Sequence, residues 1–182
     1  MTEIMPQRLL MLFRHAKSSW NDTRLSDADR PLSGRGLKAA KAMGRTIAAR
    51  GLQPDLVLVS PARRAAETWE IAAAELAEPP AAEAIVDLYD FGNGDRLLDV
   101  IRKHGGTARS LMLVGHNPAT EELAMRLAGS GSPALREALR RKYPAGALAV
   151  FSIGCYWADL ADGAGELTHF IRPKDVLGKA GA

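Results

Sequence analysis

The sequence has little cysteine, few aromatic residues and no long hydrophobic run. Among its 182 residues Cys155 is the only cysteine, which excludes an internal disulfide and any zinc site built from several cysteines. A single thiol is typical of proteins that work in a reducing compartment. The first apolar run, Leu9 to Phe13, is much shorter than the roughly 20 residues of a membrane span. We therefore expect a soluble, cytoplasmic protein without a membrane partner.

Charge of either sign is not in large excess. Lys and Arg number 24 against 21 Asp and Glu, a formal net charge of +3, and the basic residues are spread along the chain. This balance does not indicate a nucleic-acid partner. Neither G-x-x-x-x-G-K-[ST] nor G-x-G-x-x-G occurs, which disfavours the nucleotide-binding enzymes that use those loops. Hydrophobic residues make up 47%, which is ordinary for a globular domain with a sizeable core.

Patterns typical of buried strands alternate with patterns typical of amphipathic helices. Apolar runs at Leu9 to Phe13, Leu56 to Val59 and Leu111 to Val114 predict strands that are covered on both faces. Segments with apolar residues at helical spacing lie between them. Further predicted elements are helices at 33–50, 61–76, 95–104, 117–128 and 132–142, and strands at 84–88, 147–153 and 167–171. This order predicts one domain over residues 1–182, a three-layer α/β/α sandwich with a mostly parallel mixed sheet.

Polar side chains with useful chemistry follow three of the predicted strands. Arg14 and His15 follow the first strand, Ser60 and the pair Arg63-Arg64 come after the second, and His116 comes after the fourth. Because the carboxyl ends of parallel strands lie along one edge of a sheet, these side chains are expected to converge. Imidazoles and guanidinium groups without a carboxylate suit a phosphate dianion better than a divalent metal. One neutral imidazole can attack phosphorus while the other donates to the phosphoryl oxygens.

Four motifs resemble signatures of the histidine phosphatase superfamily, once named for its phosphoglycerate mutases. Residues 14–21, RHAKSSWN, resemble its R-H-G-x-S-x-x-N signature, with alanine where many members have glycine. Residues 60–68, SPARRAAET, resemble S-P-x-x-R-A-x-x-T, so that Arg64 matches the family arginine. Residues 114–118, VGHNP, resemble the segment of the second histidine, and residues 30–36 resemble R-P-L-[ST]-x-x-G. The resemblance implies the histidine phosphatase fold.

Within that superfamily, the short chain and the wording of the motifs are most similar to the SixA-type phosphohistidine phosphatases. The resemblance implies that His15 is the nucleophile and forms a phosphohistidine intermediate. It also implies that Arg14, Arg64 and His116 hold the phosphoryl oxygens. Two further residues would line the phosphate pocket or its mouth, namely Ser18 and Asn21. The resemblance implies neither a metal nor a cofactor.

The resemblance leaves the general acid open. Members that act on phosphate esters usually carry an acidic residue after the third strand, in an L-x-E context. Leu88-Tyr89-Asp90 lies at about this place, so Asp90 is the candidate acid, and a turn-capping or solvated carboxylate is the alternative. SixA-type proteins do not show the acid clearly. Their phosphohistidine substrate has a nitrogen leaving group that can be protonated without help from the enzyme.

The leading hypothesis is a metal-independent phosphatase that acts on phosphohistidine in a signalling protein, such as a histidine phosphotransfer domain. A phosphatase of a small phosphorylated metabolite, with the same site, is the alternative, and a phosphoglycerate mutase is disfavoured by length. A non-catalytic phosphoprotein-binding module is disfavoured because all four matched site residues are present. A basic run occurs in the last predicted helix, at Arg136, Arg140, Arg141 and Lys142. It is either a solvated helix face or a docking surface for an acidic protein substrate.

Overall fold

The computed structural model describes residues 4–5 and 7–178, and a seven-stranded sheet runs through this part of the chain. The strands are β1 (Arg8–Arg14), β2 (Leu56–Val59), β3 (Ala82–Ala84), β4 (Ser110–Gly115), β5 (Ala128–Gly131), β6 (Leu148–Ile153) and β7 (Gly165–Ile171). Their order across the sheet is β3-β2-β4-β1-β6-β7-β5. β6 is antiparallel to β1 and β7, and the other neighbouring pairs are parallel. The predicted mostly parallel, mixed sheet is confirmed.

Helices cover both faces of the sheet. They are α1 (Gly34–Ala49), α2 (Arg63–Ala73), α3 (Asp95–His104), α4 (Ala119–Leu127), α5 (Pro133–Arg141) and α6 (Pro173–Val176). Short 3-10 helices lie at Asp27–Asp29, Val86–Leu88 and Trp157–Asp159. Among the residues that the structure describes, no helix has the length and apolar character needed to cross a membrane.

The central strand β1 shows why the sheet needs two helical layers. Leu10 and Leu12 belong to a core cluster with residues of α3, α4 and α5. Met11 and Phe13 point to the opposite face and belong to a cluster with residues of α1 and α2. All four side chains are fully buried, and each such burial stabilises the fold by roughly 1.5–3 kcal/mol. The prediction that the apolar run Leu9 to Phe13 is a strand covered on both faces is therefore confirmed.

The ends of α1 follow from local chemistry. The Ser33 side chain accepts a hydrogen bond from the backbone N–H of Gly36 at 3.1 Å, which satisfies one free donor of the first turn. Gly51 follows the helix with a φ of 65°, a left-handed conformation that glycine adopts without steric cost. The predicted helix at 33–50 is confirmed. It ends where the chain turns into β2.

Two weakly apolar segments differ from the sequence expectation. The predicted strand at 84–88 is instead the exposed edge strand β3, at Ala82–Ala84, followed by a 3-10 turn at Val86–Leu88. Residues 128–131 form the strand β5, where a helix end and a loop are predicted. Both elements lie at the edges of the sheet, where only one neighbour pairs with them. Both are short and consist of small or polar residues, so neither carries the longer apolar pattern that identifies a strand from sequence.

The helix predicted after Ser60 begins later than expected. Ser60 does not cap α2, because Ala62 is the residue before the helix and its backbone is extended. The Ser60 hydroxyl instead accepts a hydrogen bond from Ala62 N at 3.3 Å and lies beside His116. In the segment between β2 and α2, the Ser60 hydroxyl therefore contacts His116 and does not cap the first turn of α2.

Candidate active site

The parallel pairing of β1 with β4 brings His15 and His116 together. Arg14 lies opposite Gly115 at the ends of these strands, and His15 N donates to Gly115 O at 3.0 Å. The two imidazole centroids are 5.1 Å apart. Their exposed fractions are 8% for His15 and 1% for His116. The edge of the sheet thus places both predicted histidines in one buried position.

The hydrogen bonds of His15 determine its tautomer. Nδ1 lies 2.7 Å from Ala16 O, and a carbonyl oxygen can only accept, so Nδ1 carries the proton. Burial lowers the pKa of His15 to about 4, the bond to Ala16 opposes this, and Arg64 and Arg14 lower it further. The ring is therefore neutral at pH 7. Its Nε2 lone pair is free to attack an electrophile.

His116 is a second neutral imidazole. Burial lowers its pKa to about 3, with smaller contributions from His15 and Arg64. Its Nε2 lies 2.8 Å from Ser60 Oγ. Its Nδ1 is buried and has no hydrogen-bond partner among the described residues. One ring nitrogen is thus fixed by the protein, and the other is free for a ligand.

Two arginines complete the group of predicted site residues. Arg64 is almost fully buried, and its Nη1 and Nη2 donate to Asp27 O at 2.7 Å and Asp27 Oδ2 at 3.0 Å. Arg14 donates from Nη1 to Tyr143 O at 2.7 Å, and burial lowers the pKa of its guanidinium. In both cases the protein fixes the far end of the guanidinium, so that both groups are held in a defined orientation.

Unpartnered buried polar atoms are concentrated at this site. Within residues 4–5 and 7–178 they are Arg14 Nε, Arg64 Nε, His116 Nδ1, Asn117 Oδ1 and Arg136 Nε. Three of them belong to the predicted site residues. Buried donors normally have partners, and leaving one unsatisfied costs about 1–3 kcal/mol. A tetrahedral oxyanion would supply acceptors to such donors, and the arrangement is therefore suited to a phosphoryl group.

Asp27 also belongs to the site, although no motif that we used identifies it. Its carboxylate accepts hydrogen bonds from Arg64, from Arg30 at 3.1 and 3.2 Å, and from the Tyr89 hydroxyl. The bond from Tyr89 contributes most to lowering the pKa of Asp27 to about 2, and Arg64 and Arg30 also contribute. Asp27 is therefore ionised at neutral pH. The available sequence signal was the acidic pair immediately before Arg30.

Two aromatic rings cover His116. The centroids of Tyr89 and Phe91 lie 5.3 and 5.1 Å from that of His116, and 5.2 Å from each other. Phe91 is 47% exposed, so this wall also forms part of the surface. The rings exclude water from one side of the imidazole, in agreement with the depressed pKa of His116.

Asp90, the candidate general acid, lies between Tyr89 and Phe91 in the sequence. Its carboxylate accepts a hydrogen bond from Gly92 N at 3.3 Å and lies 3.9 Å from Arg96 Nε. These are the contacts of a turn-capping carboxylate, the alternative that the sequence leaves open. The side chains on either side of Asp90 are the ones in ring contact with His116.

Most of the chain matches a known protein family. The family model of the histidine phosphatase superfamily (branch 1) matches residues 10–152. The chain belongs to this superfamily. This membership, together with the similarity to solved phosphatase structures, supports a phosphatase activity.

Three similar proteins show how far the likeness extends. An uncharacterised protein of Mycobacterium tuberculosis is 35% identical over 163 residues, 88% of this chain and 99% of the relative. A provisionally assigned phosphohistidine phosphatase SixA from Nakamurella multipartitia has a solved structure that superposes on this chain with a TM-score of 0.78. The two sequences are 29% identical, and the match covers 92% of this chain and 97% of the SixA chain. A 2,3-bisphosphoglycerate-dependent phosphoglycerate mutase of Bradyrhizobium is 38% identical over 77 residues, 41% of this chain and 37% of the mutase. The histidine phosphatase fold therefore accounts for nearly the whole chain.

The structure separates the two residues that the superfamily motif suggests at the pocket mouth. Ser18 is half-buried, accepts a hydrogen bond from Arg30 Nη1 at 2.7 Å and lines a cavity beside His15. Asn21 is exposed and is not among the described residues that line this cavity; its backbone N–H donates to Ser19 Oγ at 3.1 Å. Ser18 therefore lies at the site, and Asn21 lies in the loop outside it.

The buried neutral histidines predict that this superfamily member loses stability in mild acid. The folded pKa of His15 is about 4, below the ordinary value of 6.5. Between these pH values the unfolded chain binds a proton that the folded chain does not, so the free energy of unfolding falls as the pH falls. His15 alone is expected to lower it by about 2 kcal/mol between pH 7.5 and pH 5. The test is denaturant unfolding at these two pH values.

A matched pair of variants isolates this effect. His15→Asn should lose less stability than the wild type between pH 7.5 and pH 5, because the titrating ring is gone. Asn21→Ala, in the exposed loop outside the site, should show the same loss as the wild type, because it removes no titrating group. Equal losses in the wild type and His15→Asn would show that the folded His15 keeps an ordinary pKa.

Proposed function

We propose that this chain is a metal-independent phosphatase that removes the phosphoryl group from phosphohistidine in a protein. His15 acts as the nucleophile, and water then hydrolyses the phosphorylated His15. The proposal is supported by the neutral His15 ring, whose Nδ1 is bound to Ala16 O and whose Nε2 is free. It is also supported by the unpartnered donors of Arg14 and Arg64 beside it.

In the proposed first step, the Nε2 lone pair of His15 forms a bond to phosphorus. The P–N bond of the substrate breaks, and its electron pair goes to the substrate imidazole nitrogen. The Nε–H groups of Arg14 and Arg64 donate to the phosphoryl oxygens, whose charge changes in the transition state. The Ser60 hydroxyl donates to His116 Nε2, which leaves the His116 proton on Nδ1 for a further oxygen. Water then attacks phosphorus, the His15 P–N bond breaks, and inorganic phosphate leaves.

Phosphohistidine is favoured as the substrate by one observation, the hydrogen bonds that engage the carboxyl groups of Asp27 and Asp90. Asp27 is held ionised by Tyr89 and Arg64, and Asp90 is bound to the turn that follows it. We therefore expect neither carboxyl group to give a proton to an alkoxide leaving group, a step in which a positioned acid supplies about 10²–10⁴-fold. The imidazole of phosphohistidine can carry its own proton. A phosphoramidate therefore fits this site better than an alkyl phosphate.

The test is a comparison of kcat/KM on a phosphohistidine protein, free phosphohistidine and a panel of phosphate monoesters. We expect the phosphohistidine protein to exceed the best monoester by about 10²-fold or more, the contribution of the missing acid. A monoester that is hydrolysed as fast or faster would instead identify a phosphatase of a small metabolite. Tight binding of the phosphoprotein with no turnover of any substrate would identify a binding module.

Asp90→Asn tests the acid directly. On phosphohistidine, kcat/KM is expected to change by less than about threefold, because the leaving imidazole needs no protein acid. The measurement is the ratio of the losses on phosphohistidine and on a phosphate monoester, in which damage to folding cancels. Asp99→Asn, at an exposed carboxylate of α3, is the control. A loss near 10²-fold on both substrates would make Asp90 the general acid and would favour the small-metabolite activity.

Full activity is expected in the presence of EDTA. The proposed clamp consists of two neutral imidazoles and two guanidinium groups, and the positive charge of the guanidinium groups disfavours a divalent cation. In the described part of the chain, no three His, Cys, Asp or Glu side chains are grouped so as to hold a metal ion. The measurement is kcat/KM after dialysis against EDTA, with and without added divalent ions. Activity that disappears on dialysis and returns with a metal would contradict the proposed chemistry.

A further inference from the structure

A cavity of about 600 Å³ opens beside Arg14 and His15. Three cations outside the proposed phosphate clamp line it: Lys17, Arg35 and Lys142, which we call the cationic wall. No aspartate or glutamate is among the described residues of its lining. The cavity is much larger than a phosphoryl group requires. It can therefore hold a part of the substrate beyond the reacting phosphate.

The cations of this wall are not occupied by the protein. All three side chains are exposed, and within the described residues none of them makes a hydrogen bond or an ion pair. Elsewhere on the same helix as Arg35, by contrast, Lys41 and Arg45 both pair with Glu75, at 3.8 and 3.1 Å. Three unpaired positive charges around one opening attract a partner that carries negative charge.

An exposed aromatic side chain stands at the same opening. Trp20 lines the cavity and is 72% exposed. The guanidinium of Arg30 lies 3.5 Å from its ring centroid, and Arg30 is itself held by Ser18 and Asp27. The indole is thus fixed in place while its surface remains open. Fixed aromatic rings beside charged groups are typical of the anchor residues of protein interfaces.

The structure also divides the basic run found in the sequence. Lys142, just after α5, lies on the cationic wall. Arg136 and Arg140 line a separate, smaller cavity together with Met125 and Leu139. Only the end of the basic run therefore adjoins His15. Of the basic run that the sequence offers as a docking surface, only Lys142 therefore lies where it can contact a substrate at this cavity.

We propose that the cationic wall and Trp20 dock the acidic face of the protein whose phosphohistidine His15 attacks. This rests on the proposed function. The phosphohistidine enters beside Arg14, and carboxylates that flank it on the partner contact Lys17, Arg35 and Lys142. Such complementarity speeds encounter and orients the partner, so its effect belongs mainly to KM and to kcat/KM. A substrate with basic flanks is repelled by the same charges.

Synthetic phosphohistidine peptides of equal length test this without a known partner. They differ only in four flanking residues, which are Glu, Gln or Lys. We expect wild-type kcat/KM to be about tenfold higher for the Glu than for the Gln peptide in about 50 mM salt, and lowest for the Lys peptide. The preference should shrink in about 1 M salt, where the screening length is only about 3 Å.

Two triple variants carry the same loss of charge. Lys17→Ala, Arg35→Ala and Lys142→Ala together should reduce the preference for the Glu peptide to within twofold. The control combines Lys38→Ala, Arg50→Ala and Lys103→Ala, three exposed cations that lie outside this cavity and have no ion pair among the described residues. It should retain the preference. Trp20→Ala should raise KM for all of the peptides alike, because it removes an uncharged contact.

The outcomes separate this inference from the function on which it rests. Equal rates on the three peptides, or equal losses in the two triple variants, would overturn the docking surface and leave the phosphohistidine phosphatase intact. A kcat/KM for a small bis-anionic ester such as a phosphoglycerate above that for the Glu peptide would assign the wall to a metabolite. Hydrolysis of monoesters with no hydrolysis of any peptide would overturn both proposals.

Discussion

Replacement of His15 by alanine is expected to lower kcat on a phosphohistidine substrate by about 10⁴-fold or more. The variant loses Nε2, the atom to which the phosphoryl group is proposed to transfer. In the structure His116 Nε2 is engaged by Ser60, and among the described residues its Nδ1 has no hydrogen-bond partner that would fix the ring for attack as Ala16 O fixes His15. The second imidazole is therefore a poor replacement nucleophile.

Binding should survive this substitution because the phosphate clamp remains. Arg14 and Arg64 are held by Tyr143 O and by Asp27, and neither contact involves His15. Titration calorimetry with inorganic phosphate or vanadate should give an affinity within a few-fold of the wild type. His104→Ala is the control and should keep kcat within twofold. More than a tenth of wild-type kcat in His15→Ala would exclude His15 as the nucleophile.

Arg64→Lys is expected to cost about 2–4 kcal/mol of transition-state stabilisation, by analogy with the loss of one preorganised donor. Arg64 donates to Asp27 through both Nη atoms and keeps its Nε for a ligand. A lysine retains the charge but has a single nitrogen, so it cannot hold Asp27 and a phosphoryl oxygen in the same geometry. The loss should appear in kcat/KM as a decrease of about 30- to 1,000-fold.

The neighbouring arginine provides a matched control for this prediction. Arg63 is exposed and pairs with Glu67 at 2.8 Å, one turn along α2. Arg63→Lys should leave kcat/KM within twofold of the wild type, since a lysine can also pair with Glu67. A sensitive Arg63 together with an insensitive Arg64 would show that the motif at residues 60–68 has been aligned one residue out of register.

The strands that carry the site could be predicted because they are buried on both faces. β1 and β4 contain continuous apolar runs of a length typical of strands covered on both faces, and the structure buries both strands between two helical layers. Because both strands are parallel and adjacent, the residues directly after them must meet. That is why His15 and His116, 101 residues apart along the chain, could be placed together from the sequence.

The electrostatic environment of the site could not be predicted in the same way. Asp27 reaches Arg64 and Tyr89 across 37 and 62 residues of sequence, and no periodicity connects these three positions. The direction of the backbone also determines which side chain of this segment contacts His116. The 3-10 turn at Val86–Leu88 brings Tyr89 to His116, whereas Asp90 bonds to the turn that follows it. An L-x-E pattern specifies the position of the acidic residue in the sequence, but it does not specify the direction in which the side chain points.

Rapid quenching of the reaction tests the central claim, a covalent phosphoryl group on His15, most directly. The enzyme is mixed with ³²P-labelled phosphohistidine protein, stopped in alkali within milliseconds and digested, and the labelled peptide is identified. The account predicts transient label on the peptide that contains His15, stable in alkali, lost in acid and absent from His15→Ala. Acid-stable label on a serine or threonine, or turnover without any labelled enzyme, would contradict it.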